Sequence, residues 1–553
     1  MMKLRAILIL LLGCLLLQSC GKEPDVIYKN GKIHTYDANN TIAEAIAIKD
    51  GKILEVGTNN DILGKYESVN IVDLGGKVVL PGFIDCEGSL AEFSKNLSLI
   101  NLSTAKSVAE ITALVNERVK NLPSDSWVGG FFWNELILPE AELNKMDKSV
   151  LDSISTTQNI YLVNLDGSIV WVNSKLLNTL KITKDTPNPK DGEIGRYEDG
   201  ELNGFLFDAA VNLVRENIPE FSNDEMKQSM IKGVNELVKY GITELQDRTV
   251  NSTSLEAIKQ LINEDKFPIR MYAVLSSGDN TFNEYLQKGI ELNYKDKLTV
   301  RAVSIDYDGA FGLQSASMLD DYKTEPHRIV PYAVEPDIVD LLKKAAAKNF
   351  QVRVKTVGDN AVVASLNAYE KVNNEIKLTD SRTVFEHIEF ADKNSINRIR
   401  DYNIIPSVRP ENAMLDFEII TPKVGDRSLS QWALWNSLLQ AAGKLTIGSD
   451  FPFQQINPFV NMYYLTTRQF TDTTMASITN PNEKISLDDA IRAYTIWAAY
   501  SAFQEEYKGS LEKDKFADMV VISNDIYANP KNLLSAKVEK TIINGKVVYQ
   551  SGN

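Results

Sequence analysis

The chain has 553 residues, 44% of them hydrophobic and 24% charged, an ordinary globular composition with room for more than one domain. Its 59 basic residues face 74 acidic ones, a formal net charge of −15. No basic cluster interrupts that balance, which argues against nucleic acid as a partner.

The first residues read as a targeting segment. Lys3 and Arg5 precede an apolar run over residues 7–17, too short to span a bilayer comfortably. The run ends in Leu17-Gln18-Ser19-Cys20-Gly21, which resembles a bacterial lipobox. The expectation is a lipoprotein signal peptide over 1–19, lipidation of Cys20, and a membrane partner reached through that anchor. The expected location is the bacterial cell envelope, on a periplasmic or surface-exposed face of the outer membrane. Acyl chains supply about 0.8 kcal/mol per buried CH₂, so several chains anchor stably. With Cys14 removed and Cys20 lipidated, Cys86 is left alone, and no intrachain disulfide forms.

Next come turn signals. Asn30-Gly31 and Asp50-Gly51 each sit between apolar runs, and Asn544-Gly545 does so near the other end. Such dipeptides are strong hairpin signals. The expectation is one β-sandwich composed of residues 20–80 plus 506–553.

Between these ends, strand and helix patterns alternate. Strands are predicted over 78–85, 242–247, 268–275, 299–308, 351–358, 383–390, 404–410 and 444–450, rich in Val and Ile as in buried parallel strands. Helices are predicted over 224–240, 336–348, 360–372, 393–402 and 429–442. The fold class is therefore α/β: a (β/α)₈ TIM barrel over 81–505. The long gap after the first strand holds an inserted subdomain, 91–221.

Working residues of such barrels lie at the C-terminal strand ends. The sequence offers Asp85-Cys86-Glu87, Asp306 and Asp308, Lys355, Glu386-His387 and Asp450 there. Together with Pro81-Gly82-Phe83-Ile84-Asp85, Trp171-Val172-Asn173-Ser174, Val357-Gly358-Asp359 and Ile447-Gly448-Ser449-Asp450, these residues resemble the amidohydrolase superfamily, in its family 3 (YtcJ-like) branch. The resemblance implies a metal-bearing barrel that hydrolyses amide or related C–N bonds with zinc or a similar divalent ion.

Against that pattern the chain departs at named positions. The two histidines of the family's first strand fall on Glu87 and Ser89, the fifth-strand histidine on Lys355, and the Gly-His of the insertion on Gly167-Ser168. A fourth-strand lysine of the relatives aligns with Ser304. His387 and Asp450 survive as family metal ligands; His34 and His327, the other two histidines, cannot restore the motif. Zinc prefers nitrogen and sulfur ligands and needs three from the protein in a catalytic site. The expectation is that Lys355 supplies the positive charge once given by the metal, balanced by Glu87 and Asp450, with Ser89 as a neutral donor.

Three readings follow: a metal-dependent amidohydrolase with an unusual His387, Asp450 and Glu87 ligand set; a metal-free enzyme using Asp450, Lys355 and His387; and a binding protein that keeps the pocket. Cys86 as a thiolate nucleophile is a minor fourth. No cofactor is the favoured expectation, with zinc or another divalent metal as the alternative. Trp133, Asn173 and Arg409 join Glu87, Ser89 and Ser168 as candidate binding residues for a small-molecule ligand or substrate. Relatives of this kind are often dimers, so a homodimer stays open.

Overall fold

A computed structural model of the chain describes residues 23–68, 70–120, 122–134, 138–164, 167–312, 314–323, 331–471 and 480–552. The predicted signal segment, Cys20 and His327 lie outside the described residues. Two compact units are present, Ser94–Ser229 and the remainder.

In the larger unit eight parallel strands form one nearly closed sheet. They are β1 (Phe83–Gly88), β2 (Ile242–Val250), β3 (Arg270–Ser276), β4 (Leu298–Asp306), β5 (Gln351–Thr356), β6 (Val384–His387), β7 (Ile405–Val408) and β8 (Thr446–Ile447). Each pairs with its successor. A parallel bridge from Gly88 to Phe451, just past β8, brings the sheet's ends together. Burial on both faces explains the unbroken apolar run Met271–Leu275 within β3.

The strand predicted over 78–85 is two strands. Val78–Pro81 belongs to a different sheet from β1, and the break falls at Gly82. A Cβ at that position would collide with the Thr243 side chain, so the chain turns where only glycine lets β1 and β2 close up. The helix predicted over 429–442 is also interrupted, into Ser428–Gln431 and Trp435–Ala442. There the backbone is committed elsewhere: Ala433 N–H donates to Glu389 O (2.9 Å), and its carbonyl accepts from Arg468 Nη1 (2.8 Å).

Two smaller sheets are made from both chain ends. One orders Lys52–Gly57, Ala45–Lys49, Val26–Lys29 and Ile71–Asp73; the other runs from Lys546–Gln550 through Val538–Ile543, Met519–Ile522 and Val78–Pro81 to Lys32–His34 and Ile42–Ala43. Tyr28, Ile46 and Ile48 of the first share one buried cluster with Val79, Met519 and Ile542 of the second. Asp50-Gly51 and Asn544-Gly545 are tight turns with positive φ at both residues, joining antiparallel neighbours. Asn30-Gly31 is not a hairpin. Only Asn30 has positive φ, and the flanking strands enter different sheets.

The Ser94–Ser229 unit has its own six-stranded sheet, ordered Gly192–Arg196, Leu202–Asp208, Ile169–Val172, Asn159–Asn164, Trp127–Trp133 and Ile100–Asn101. Its core includes Ile111, Leu151, Ile160 and Trp171. No helix among the described residues is long and apolar enough to cross a membrane.

Candidate functional site

At the C-terminal ends of the barrel strands lies a chain of buried charges. Glu87 ends β1, and a Cβ on Gly448 would collide with its side chain, so β1 and β8 approach closely at this rung. Arg409 follows β7 and grips Glu87 with both arms of its fork: Nε lies 2.7 Å from Oε2, and Nη2 pairs with Oε1. Its remaining nitrogen, Nη1, donates to Asp450 Oδ2 at 2.5 Å. One guanidinium thus bridges the family's first-strand and eighth-strand ligand positions.

The chain continues inward. Arg248, near the end of β2, places Nε 3.1 Å from Glu87 Oε1 and 3.3 Å from Glu386 Oε2, and pairs through Nη2 with Asp306. Arg353, on β5, sits 2.7 Å from Glu386 Oε1 and also donates to Gln246 Oε1 (2.8 Å) and the Cys86 carbonyl (2.9 Å). Glu87, Arg353 and Glu386 have no solvent exposure and Arg409 only 2%, so these are interior charges. Three arginines answer four carboxylates.

Burial pushes the Arg409 pKa down to about 10, against the pull of Asp450 and Asp85; it stays charged at neutral pH. Burial also opposes the charge on Arg248, but Glu386 and Asp306 outweigh it and hold its pKa above the usual arginine value. Asp85, beneath Glu87, is pushed up to about 7 by burial, although Ser449 N–H (3.1 Å) and Oγ (2.5 Å) donate to it.

His387 ends β6 with φ of 72°, and Asp450 follows β8 with φ of 62°. Both non-glycine residues occupy the left-handed region, a local strain that marks functional sites. His387 Nδ1 lies 2.9 Å from Glu389 Oε1 and 3.4 Å from Arg409 Nη1. Asn412 Nδ2 holds the same Glu389 oxygen at 2.7 Å. His387 Nε2 is buried without a hydrogen-bond partner. Burial first, then the charges of Lys355 and Arg248, lowers the His387 pKa well below its ordinary value, so the ring is neutral.

Of the predicted site residues, Glu87, His387, Arg409 and Asp450 come together. Lys355 corrects the expectation placed on it. It stands two residues on from Arg353, on the same strand face, and pairs with no carboxylate within 4.0 Å among the described residues. A lysine offers a single point charge, whereas the planar fork of Arg409 reaches two carboxylates at once. Ser89 shares a hydrogen with Thr249 (2.6 Å) and caps the helix Leu90–Asn96. Cys86 is fully buried, and its pKa is pushed up to about 12, which removes thiolate chemistry at neutral pH.

Trp133, Ser168 and Asn173 lie in the Ser94–Ser229 unit, where the side chains of Trp133 and Asn173 are committed to backbone partners. Trp133 Nε1 donates to Leu162 O (3.0 Å). Ser168 O accepts from Asp208 N–H (2.7 Å). Asn173 spends its whole amide: Oδ1 accepts from Ile160 and Leu176 N–H, and Nδ2 donates to Ser155 and Gln158 carbonyls. Sequence reasoning missed Arg248 and Glu389. The signal for Arg248 was its place directly after Asp247, where β2 continues to Val250 rather than ending.

The amidohydrolase family model matches residues 70–549 of this chain. The protein LONG AFTER FAR-RED 3 of Arabidopsis thaliana is 29% identical over 548 residues, covering 96% of this chain and 92% of that one. N-substituted formamide deformylase of Arthrobacter pascens is 24% identical over 545 residues, covering 95% and 98%. An uncharacterised metal-dependent hydrolase from Pyrococcus horikoshii superposes with a TM-score of 0.74 at 20% identity, covering 92% of this chain and 99% of its own, a likeness of fold.

Proposed function

This chain belongs to the amidohydrolase family, and from that premise we propose that its barrel mouth binds a small organic molecule without a metal, the charge of the family's ion being carried by Arg409 and Arg248. Family membership implies a small-molecule substrate and makes a divalent metal the cofactor to test. The observation that carries the proposal is Arg409, seated on both Glu87 and Asp450.

In this arrangement the donor set does not fit a divalent ion. Both Glu87 oxygens and Asp450 Oδ2 are held by guanidinium groups, and His387 Nδ1 faces Glu389. An ion would have to displace a buried cation from carboxylates that cost several kcal/mol to leave unpaired. Hard carboxylates with a single imidazole are also a poor zinc set.

The chemical consequence is large. A catalytic metal lowers the pKa of bound water from 15.7 to about 7. At about 1.4 kcal/mol per unit, that is on the order of 12 kcal/mol in the free energy of ionising the water. A side-chain base contributes about 10² to 10⁴ in rate. Binding is therefore the first reading.

One observation favours a second. His387 Nε2 is unpartnered, and its ring is oriented by Glu389 and, behind it, Asn412. That is the geometry of an oriented general base, suited to an activated substrate that needs no metal-bound hydroxide. We also read the two end-built sheets as the composite β-sandwich, and Cys20 as a lipid anchor that places the protein on the cell envelope.

The test is elemental analysis of the purified full chain after expression with zinc and manganese, together with turnover of N-substituted formamides with and without chelator. The proposal expects far less than one metal per chain. Stoichiometric metal lost on His387→Gln or Asp450→Asn would overturn it. Chelator-resistant turnover abolished by His387→Gln selects the second reading over the first.

A further inference from the structure

The other end of the barrel carries an unassigned site. A cleft of about 780 Å³ opens beside the N-terminal ends of β4, β5 and β6, flanked by the helices Glu335–Ala346 and Asp359–Ile376. A second cleft of about 380 Å³ shares Leu378, Asp380 and Ser381 with it. Both volumes fall in the range of small-molecule pockets.

A ladder of alternating cations and rings runs between the two clefts. Arg301 stacks on Phe503 at 3.5 Å from the ring centroid, and Arg382 lies 4.3 Å from the same ring and 3.9 Å from Tyr500. Lys444 lies 4.4 Å from Tyr500. Arg382 takes the nearby carboxylates for itself, Asp380 at 3.0 Å and Glu505 at 2.9 Å. Arg301 and Lys444 have none within 4.0 Å among the described residues, and Arg301 Nε is buried without a hydrogen-bond partner. Lys377, which also lines the larger cleft, adds another cation with no carboxylate within 4.0 Å among the described residues.

A guanidinium whose face is covered by a ring still presents its edge. That edge is a donor fork matched to an oxyanion. A cation–π contact compensates a part-buried charge less completely than an anion does. The cleft is lined by apolar side chains, among them Leu342, Phe350, Val352 and Ile376, and by two carboxylates that already have cations, Glu375 paired with Lys343 and Asp380 with Arg382.

We propose that this cleft binds a small organic anion, a carboxylate or phosphate carried on an apolar body, with Arg301 taking the oxyanion and Leu342, Phe350 and Ile376 taking the body. The site lies at the opposite strand ends from the mouth and is independent of what the mouth does.

Isothermal titration of the full chain with benzoate, phenyl phosphate and benzyl alcohol tests this. At least one anion is expected to bind and the neutral alcohol is not; which anion binds more tightly identifies the head group. Arg301→Gln is expected to weaken binding at least about tenfold, the scale of one lost charge-assisted contact. Arg301→Lys is expected to fall between the two. Ile376→Glu, at a position 47% exposed and safe for folding, is expected to abolish binding by placing a like charge in the cleft. The proposal is overturned if neither anion binds, if the alcohol binds as well as the anions, or if affinity is unchanged in both Arg301→Gln and Ile376→Glu.

Discussion

The two ends of the barrel handle buried cations differently. At the mouth, Arg248, Arg353 and Arg409 each have carboxylate partners, and the chain of pairs crosses from β5 to β8 without a break. At the opposite end, Arg301 and Lys444 rest on Phe503 and Tyr500 and have no carboxylate within 4.0 Å among the described residues, Asp380 and Glu505 acting on them only from farther away. At the mouth three arginines hold four carboxylates, so removing one arginine leaves a carboxylate unanswered. The far end carries surplus charge, which a ligand can answer. Location in the barrel therefore does not decide which charges are structural; partner count does.

The sharpest way to break this comparison is Arg409→Ala. It leaves the buried Glu87 and the partly exposed Asp450 without their shared cation, and the expected loss is about 3–5 kcal/mol of stability. Urea denaturation measures it. In Arg409→Met combined with Glu87→Gln, the loss is expected to be smaller than the sum of the two single losses, because the residues are in contact. Additive losses, or an Arg409→Ala loss under about 1 kcal/mol, a surface-pair value, would show the mouth network to be as loosely held as exposed ion pairs.

Much of this site was legible in the sequence. His387 and Asp450 stood out at strand ends, and Glu87 and Arg409 were named as pocket residues. What the sequence did not give was reach. Lys355 and Arg409 both lie near strand ends at the mouth, and nothing linear says which cation meets Glu87. The answer depends on closure: Gly448 and Gly88 let β8 and the segment after it press on β1, bringing Asp450 N–H within 2.7 Å of Glu87 O. A single fork can then span both carboxylates. Trp133 and Asn173 are hard to read for a related reason. A buried polar residue in an insertion reads the same whether it faces a ligand or caps a helix, and Asn173 is the N-cap of Ser174–Thr179. The fold itself was easier, because alternating Val/Ile runs and amphipathic helices are local signals. The helix break around Ala433 was not, because its backbone bonds go to residues far away in sequence.

The second test uses the same residue type at the other end. Arg301→Gln removes a cation that no carboxylate among the described residues approaches within 4.0 Å. The cation–π contact it gives up is worth about 0.5–1 kcal/mol at a partly exposed site, and relief from desolvation acts in the opposite direction. The expected change in stability is within about 1 kcal/mol of zero. A loss approaching that of Arg409→Ala, by the same urea measurement, would mean Arg301 has a structural anion and is no ligand site.

The mildest case calibrates both. Glu291 accepts from Lys259 (2.6 Å), Lys288 (2.9 Å) and Tyr285 (2.8 Å) at the surface of the larger unit. Burial is the largest single influence and raises its pKa, but the three donors together outweigh it and hold it at about 2, below the ordinary 4.5. A depressed carboxyl stabilises the fold above its unfolded pKa and loses that contribution as pH falls through the folded value. The window is therefore from about pH 4.5 down to about 2. The cluster is partly exposed, so solvent screening reduces its contribution to about 1 kcal/mol or less. Glu291→Gln is expected to cost that amount at pH 7 and to flatten the stability profile across the window. High salt is expected to erase the difference here but not at Arg409, because ions screen the surface cluster and do not enter the barrel interior. If salt instead weakened the Arg409 contribution equally, the mouth charges would have to be in contact with bulk solvent, and the contrast between the barrel's ends would reduce to one of exposure.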